Sequence, residues 1–109
     1  MPKNPSTVTE TVLNIAELPY IESSEGIELA ELVRDRILEA LRLNEIVVLD
    51  FAGQEHVSCA FFLNAIGCLY KRHSEEYIRR HLRILNLSDS DRILMNIILK
   101  IAKCAYTKH

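Results

Sequence analysis

Ile46-Val47-Val48-Leu49-Asp50-Phe51, followed after a short polar stretch by Ser58-Cys59-Ala60-Phe61-Phe62, decides the fold of this chain. A strand buried on both faces reads as an unbroken Val/Ile/Leu run, whereas a half-exposed strand alternates. Residues 46 to 49 therefore read as a central parallel strand. The second apolar run opens on a hydroxyl and reads as the helix that follows. In open α/β sheets, ligands gather beyond the carboxyl ends of such strands. That place holds Asp50, His56, Ser58 and Cys59.

Working outward, Thr11-Val12-Leu13-Asn14-Ile15-Ala16 alternates as a first strand, ended by Leu18-Pro19-Tyr20, with a further short strand expected around Leu18 to Ile21. Ser23-Ser24-Glu25-Gly26 reads as a turn. Ile27, Ala30, Val33, Ile37, Leu38 and Leu41 then recur at helical spacing, predicting an amphipathic helix over 27–42 with an acidic outer side. Phe61, Phe62, Ala65, Ile66, Leu69 and Tyr70 define the second helix. Gly67 inside it marks a close approach by a neighbour. Lys71 to Glu76 reads as the helix end and a solvated link, and 82–87 as a third strand. Ser88 with Asp91 three residues on fits a capping box. It opens a third helix whose apolar face is Ile93, Leu94, Ile97, Ile98, Ile101 and Ala102, with Asn96, Lys100 and Lys103 on its polar face. Strands alternating with helices predict an α/β domain with a mixed or parallel central sheet flanked by helices.

The 109 residues, 49% hydrophobic and 26% charged, suit one compact domain, expected over 11–105 after a disordered lead at 1–10. That polar lead fits neither a signal nor a transit peptide, and no apolar run reaches the length of a membrane span. Three cysteines without metal-ligand spacing predict reduced thiols, a cytoplasmic location and no metal or other cofactor. Residues 1–60 carry 4 Lys/Arg against 11 Asp/Glu, and residues 61–109 carry 9 against 4. Such asymmetry is compatible with a basic binding face or with head-to-tail association, and a homodimer is a further candidate assembly.

Ser58 has two compatible readings, a helix N-cap and the acceptor of a phosphate that the helix terminus would welcome. Asp50, His56 and Ser58 contain the residue types of a catalytic triad, but no nucleophile-elbow or oxyanion glycines accompany them, so no enzymatic activity is expected. Asp50 is expected to end its strand by accepting loop N–H groups, and His56 to be an exposed loop residue. Cys59 reads as a buried, inert thiol. Cys59 and Cys68 fall near opposite faces of a regular helix, which excludes a disulfide between them. Lys71, Arg72, Arg79, Arg80 and Arg83, with Tyr70 and Tyr77 for stacking, form the nucleic-acid candidate, interrupted by Glu75 and Glu76. A solvated helix end is the preferred account of that cluster, so nucleic acid is not an expected partner. Gly26, Gly53 and Gly67 build neither a P-loop nor a dinucleotide fingerprint.

Leu49-Asp50-Phe51, Val57-Ser58, Phe61, Gly67, Leu69-Tyr70 and Ile84-Leu85-Asn86-Leu87 together resemble the STAS-like domain of unknown function found in bacterial proteins. That group is similar to the STAS domains of anti-sigma factor antagonists. The resemblance spans about 11–101 and implies a small non-enzymatic module. In the antagonists a partner kinase phosphorylates a serine at the start of one helix, and Ser58 stands at the matching place. The flanking His56-Val57-Ser58-Cys59-Ala60 lacks the Asp and Gly typical of the antagonists. The implied partner is a histidine-kinase-like ATPase or another signalling protein in a bacterial regulatory pathway. It would read Ser58 with Asp50, Glu55, His56, Cys59, Phe61 and Asn64.

Overall fold

The computed structural model describes residues 9–18, 27–54 and 57–107. Among these, three strands, β1 (Glu10–Asn14), β2 (Ile46–Asp50) and β3 (Leu82–Leu85), form one sheet in the order β1-β2-β3. Both pairings are parallel, with Leu13 opposite Leu49 and Leu49 opposite Ile84. The chain is thus α/β with a wholly parallel sheet. Strand β1 begins at Glu10, inside the stretch expected to be a disordered lead, and Thr9 accepts from Ile46 N–H at 2.9 Å. The rest of that lead, and all of the short strand expected around Leu18 to Ile21 except Leu18, lie outside the described residues.

The alternation of the strands sorts the sheet into two faces. Leu13, Val47 and Leu49 point into the core beside the half-buried Leu82 and Ile84. Val12, Val48, Arg83 and Leu85 point the other way. There Val12 and Leu85 are exposed, while Val48, between its register partners Val12 and Arg83, is buried. The reading of β2 as a strand covered on both sides therefore holds at 47–49.

Helix α1 (Ile27–Arg42) packs Leu29, Ala30, Val33, Ile37, Ala40 and Leu41 into the core. It ends where Asn44 adopts φ 61, while Asn44 N–H donates to Leu41 O at 3.0 Å and Glu45 N–H to Ala40 O at 2.8 Å. This is the paired-bond termination with a left-handed residue just past the last turn, a place that Gly or Asn fills with least strain.

The helix expected after Ser58 changes pitch along its length. One α turn, α2 (Cys59–Phe61), runs into a π turn over Phe62–Ile66 and a 3-10 turn over Gly67–Lys71. Phe51, Phe61 and Phe62 form a buried triad, with ring centroids 6.0 to 6.4 Å apart. Two of the contacts are edge-on, as ring quadrupoles favour. Each ring contributes roughly 1.5–3 kcal/mol by leaving water. A Cβ on Gly67 would sit 3.1 Å from Ala102 Cβ and 3.2 Å from Leu63 Cδ1, so this glycine sets the distance to the last helix.

A helix, α3 (Glu75–His81), begins inside the Lys71 to Glu76 stretch read as a helix end and solvated link and runs on beyond it. Ser74 Oγ caps it by accepting Tyr77 N–H at 3.1 Å. Glu75 and Glu76 stand at its positive end and Arg79, Arg80 and His81 at its negative end. It then passes directly into β3. Helix α4 (Asp89–Thr107) carries the expected cap, Asp91 N–H donating to Ser88 Oγ at 3.2 Å. Its expected apolar face is only partly covered. Ala102 is buried and Leu94 and Ile98 half-buried, but Ile93, Ile97 and Ile101 face solvent.

Candidate functional site

The carboxyl ends of β2 and β3 meet at Asp50. Its Oδ1 accepts from Asn86 Nδ2 at 2.8 Å and from Ala52 N–H at 3.0 Å. Asn86, just past β3 with φ 60, is thereby tied to the neighbouring strand. The Asn86 hydrogen bond, and next the Ala52 N–H, hold the Asp50 carboxyl below the usual aspartate range. The strand end expected of Asp50 is therefore present, with Asn86 as a partner that no sequence spacing announces. The chain then turns through Phe51-Ala52-Gly53-Gln54, closed by Gln54 N–H to Phe51 O at 2.9 Å. Gly53, at φ 83, fills the third position, where a type II turn needs a positive φ.

Beyond this turn lies Ser58. It is exposed, extended in backbone, and its Oγ accepts Phe61 N–H at 3.1 Å. The cap expected of it is present. One residue earlier, Val57 N–H donates to Asp91 Oδ2 at 3.4 Å. The first turn of α4 and the residue preceding Ser58 are thus linked by a carboxylate. Asp91 could be read from sequence as a capping residue for α4, but its reach to Val57 could not.

The candidate partner residues divide in this geometry. Cys59 is exposed, which corrects its reading as a buried thiol: the first turn after Ser58 presents it outward. Phe61 is buried in the phenylalanine triad and offers a partner no surface, contrary to expectation. Asn64 is half-buried, and its Nδ2 donates to Ala60 O at 2.8 Å, a local bond from the π turn back to α2. Leu63, not singled out by the sequence, is exposed beside it. Glu55 and His56 lie outside the described residues, and with His56 so does part of the Asp50, His56 and Ser58 constellation. Cys59, Cys68 and Cys104 are free thiols. Among the described residues no group of His, Cys, Asp and Glu is arranged to hold a metal ion.

With this geometry in place, comparison with protein families matches residues 30–92 to the STAS-like domain of unknown function, DUF4325. The chain belongs to that family. No curated protein and no solved structure matched it. The matched stretch of the STAS-like domain runs from within α1 to the first turn of α4, and so includes Asp50, Ser58, Asn86 and Asp91.

The basic segment of the STAS-like domain is differently engaged. Arg80 pairs with Glu76 at 3.1 Å and Arg83 with Glu10 at 3.4 Å. Lys71 Nζ lies 5.5 Å from the centre of the Tyr106 ring. Arg72 and Arg79 are exposed. The two tyrosines expected to offer stacking faces do not. Tyr70 is buried, and that burial pushes its hydroxyl pKa up. Tyr77 is sandwiched between His73 and His81, at 5.1 and 4.1 Å between ring centroids, and its hydroxyl donates to Leu41 O at 2.7 Å. Burial, then Arg72 and His81, lower the pKa of His73. The aromatics here join α3 to the end of α1. No helix of the described residues is long and apolar enough to cross a membrane.

Proposed function

We propose that this STAS-like domain is a non-enzymatic protein-interaction module of bacterial regulation, switched by phosphorylation of Ser58 and read by a histidine-kinase-like ATPase. One observation carries the reading: in a domain of this family, an exposed serine heads the helical segment that leaves the central strand. A serine that caps already holds its oxygen against the free N–H groups of a helix start, where an anion is favoured. Phosphoryl transfer from ATP replaces the Ser58 hydroxyl proton with a group of about −1.5 to −2 charge and releases ADP.

The neighbourhood turns that charge into a signal. Val57 N–H is held by the Asp91 carboxylate, so a phosphate on the next residue sets like charge against Asp91. Repulsion weakens the link between the 57–64 segment and α4, changing the surface presented by Ser58, Cys59 and Asn64. Phe61 acts beneath this surface as an anchor. Asp50 acts beside it as the fixed end of the strand.

To test the reading, the full chain is incubated with ATP and purified histidine-kinase-like ATPases from the same organism, and the products are mapped by mass spectrometry. One phosphate on Ser58, absent from Ser58→Ala, is expected. No incorporation with any of them, or incorporation elsewhere that Ser58→Ala leaves unchanged, overturns the switch.

A further inference from the structure

Helix α4 carries three isoleucines that the fold leaves outside. Ile93 is 62% exposed, Ile97 53% and Ile101 59%. At about 3.6 residues per turn they form one stripe along the helix. Ser90, Leu94, Ile97, Ile101 and Cys104 repeat at intervals of four and three, the seam spacing of a helix that packs along another helix. Isolated exposed hydrophobics are ordinary, but a contiguous β-branched stripe on one helix marks an interface.

The charges beside the stripe say what covers it. Asp89, in the first turn, and Lys100, past the middle, lie on the same flank of the stripe, and both are exposed. A two-fold axis through Ile97, perpendicular to the helix, keeps that flank on one side in both copies and reverses its direction. The acid of each copy then lies toward the half of the other that carries Lys100, Ile93 lies level with Ile101, and the helix dipoles oppose. A parallel arrangement, with its two-fold along the helices, carries that flank to opposite sides of the seam in the two copies, so neither acid meets the partner's Lys100. We infer that α4 is a homodimer interface, its isoleucine stripe packed antiparallel against the same stripe of a second copy. This surface is separate from Ser58, because Asp91, which links α4 to Val57, lies on the opposite side of the helix from Ile93 and Ile97.

The register makes the test specific. Ile97 faces its own counterpart at the axis, while Cys104 lies level with Ser90. Sedimentation over a concentration series should show a reversible monomer–dimer equilibrium for the full chain. Ile97→Glu should be monomeric throughout, with circular dichroism and melting close to wild type because the site is exposed. In a chain carrying Cys59→Ser and Cys104→Ser, Ile97→Cys should cross-link to a covalent dimer under mild oxidation. Wild type that is monomeric at every concentration overturns the inference. So does a dimer that Ile97→Glu leaves intact, or an Ile97→Cys chain that does not cross-link.

Discussion

Asp50 shows how one side chain can fix a strand end. It accepts from Asn86 and from Ala52 N–H, and both bonds favour the ionised carboxylate. A carboxyl with a depressed folded-state pKa contributes stability above its ordinary value and loses it as pH falls through the folded one. Denaturant unfolding followed downward in pH should therefore show a loss that begins at the ordinary aspartate range. In Asp50→Asn that component should be absent. His73 acts in the same direction in a higher window. Its lowered pKa means that protonation favours the unfolded chain, so stability should decline as pH drops below the ordinary histidine range. A His73 imidazole titration followed by NMR should show a midpoint below that of free histidine. At this scale the caps at Ser58 and Ser88 were legible, because a hydroxyl before an apolar run is a local signal. Asp50–Asn86 and Asp91–Val57 were not, because each joins residues more than thirty apart, at places that only the sheet order and the packing of α4 bring together.

Among the elements, α1, β2, β3 and α4 were legible because each carries its period over several residues, and α1 runs over the residues expected of it. Helix α3 was not. At seven residues, with Ile78 its one buried side chain, it has no apolar stripe, and its acidic start and basic end read as a solvated charge run. Its signals were Ser74 followed by two glutamates, and arginines in the last turn. The pitch change after Phe61 was also hidden, since the apolar residues over 61–70 fit a regular helix equally well. Two substitutions test these elements. Gly67→Val pushes a branched side chain against Ala102 and Leu63, and overpacking of this kind costs about 1–3 kcal/mol. Thermal melting should show that loss, with α4 pushed outward. Asn44→Ala forces a Cβ residue without a compensating amide into the left-handed region, where the backbone penalty is roughly 1–2 kcal/mol. Asn44→Gly should recover most of the backbone part but not the contact of Asn44 Oδ1 with His81 Nε2 at 2.9 Å.

At the scale of the molecule, the parallel sheet and the helices behind it follow from the alternation of strand and helix patterns, and the family match agrees with that reading. Periodicity did not reveal how much apolar surface stays uncovered. Helical spacing shows which residues share a face; it does not show how wide a stripe the rest of the chain can bury, and α4 retains three isoleucines in solvent. Of the basic second half of the sequence, folding sets Arg83 against Glu10 and Lys103 against Glu75, while Arg72 and Arg79 stay exposed. Ser58 carries the proposed switch. Loss of a cap costs ~1 kcal/mol, small against the roughly 5–15 kcal/mol that holds a domain of this kind together. Ser58→Asp can still cap and suits the helix dipole, yet its charge must be paired or desolvated against a partner, which costs several kcal/mol where no cation meets it. The most direct measurement compares melting of wild type, Ser58→Ala and Ser58→Asp with their binding to the ATPase that phosphorylates the chain. On this account, wild type and Ser58→Ala should melt and bind nearly alike, whereas Ser58→Asp should stay folded, melt somewhat lower as its link to α4 loosens, and bind far more weakly. Equal binding by all three, or unfolding of Ser58→Ala, would contradict it and leave Ser58 as a structural cap.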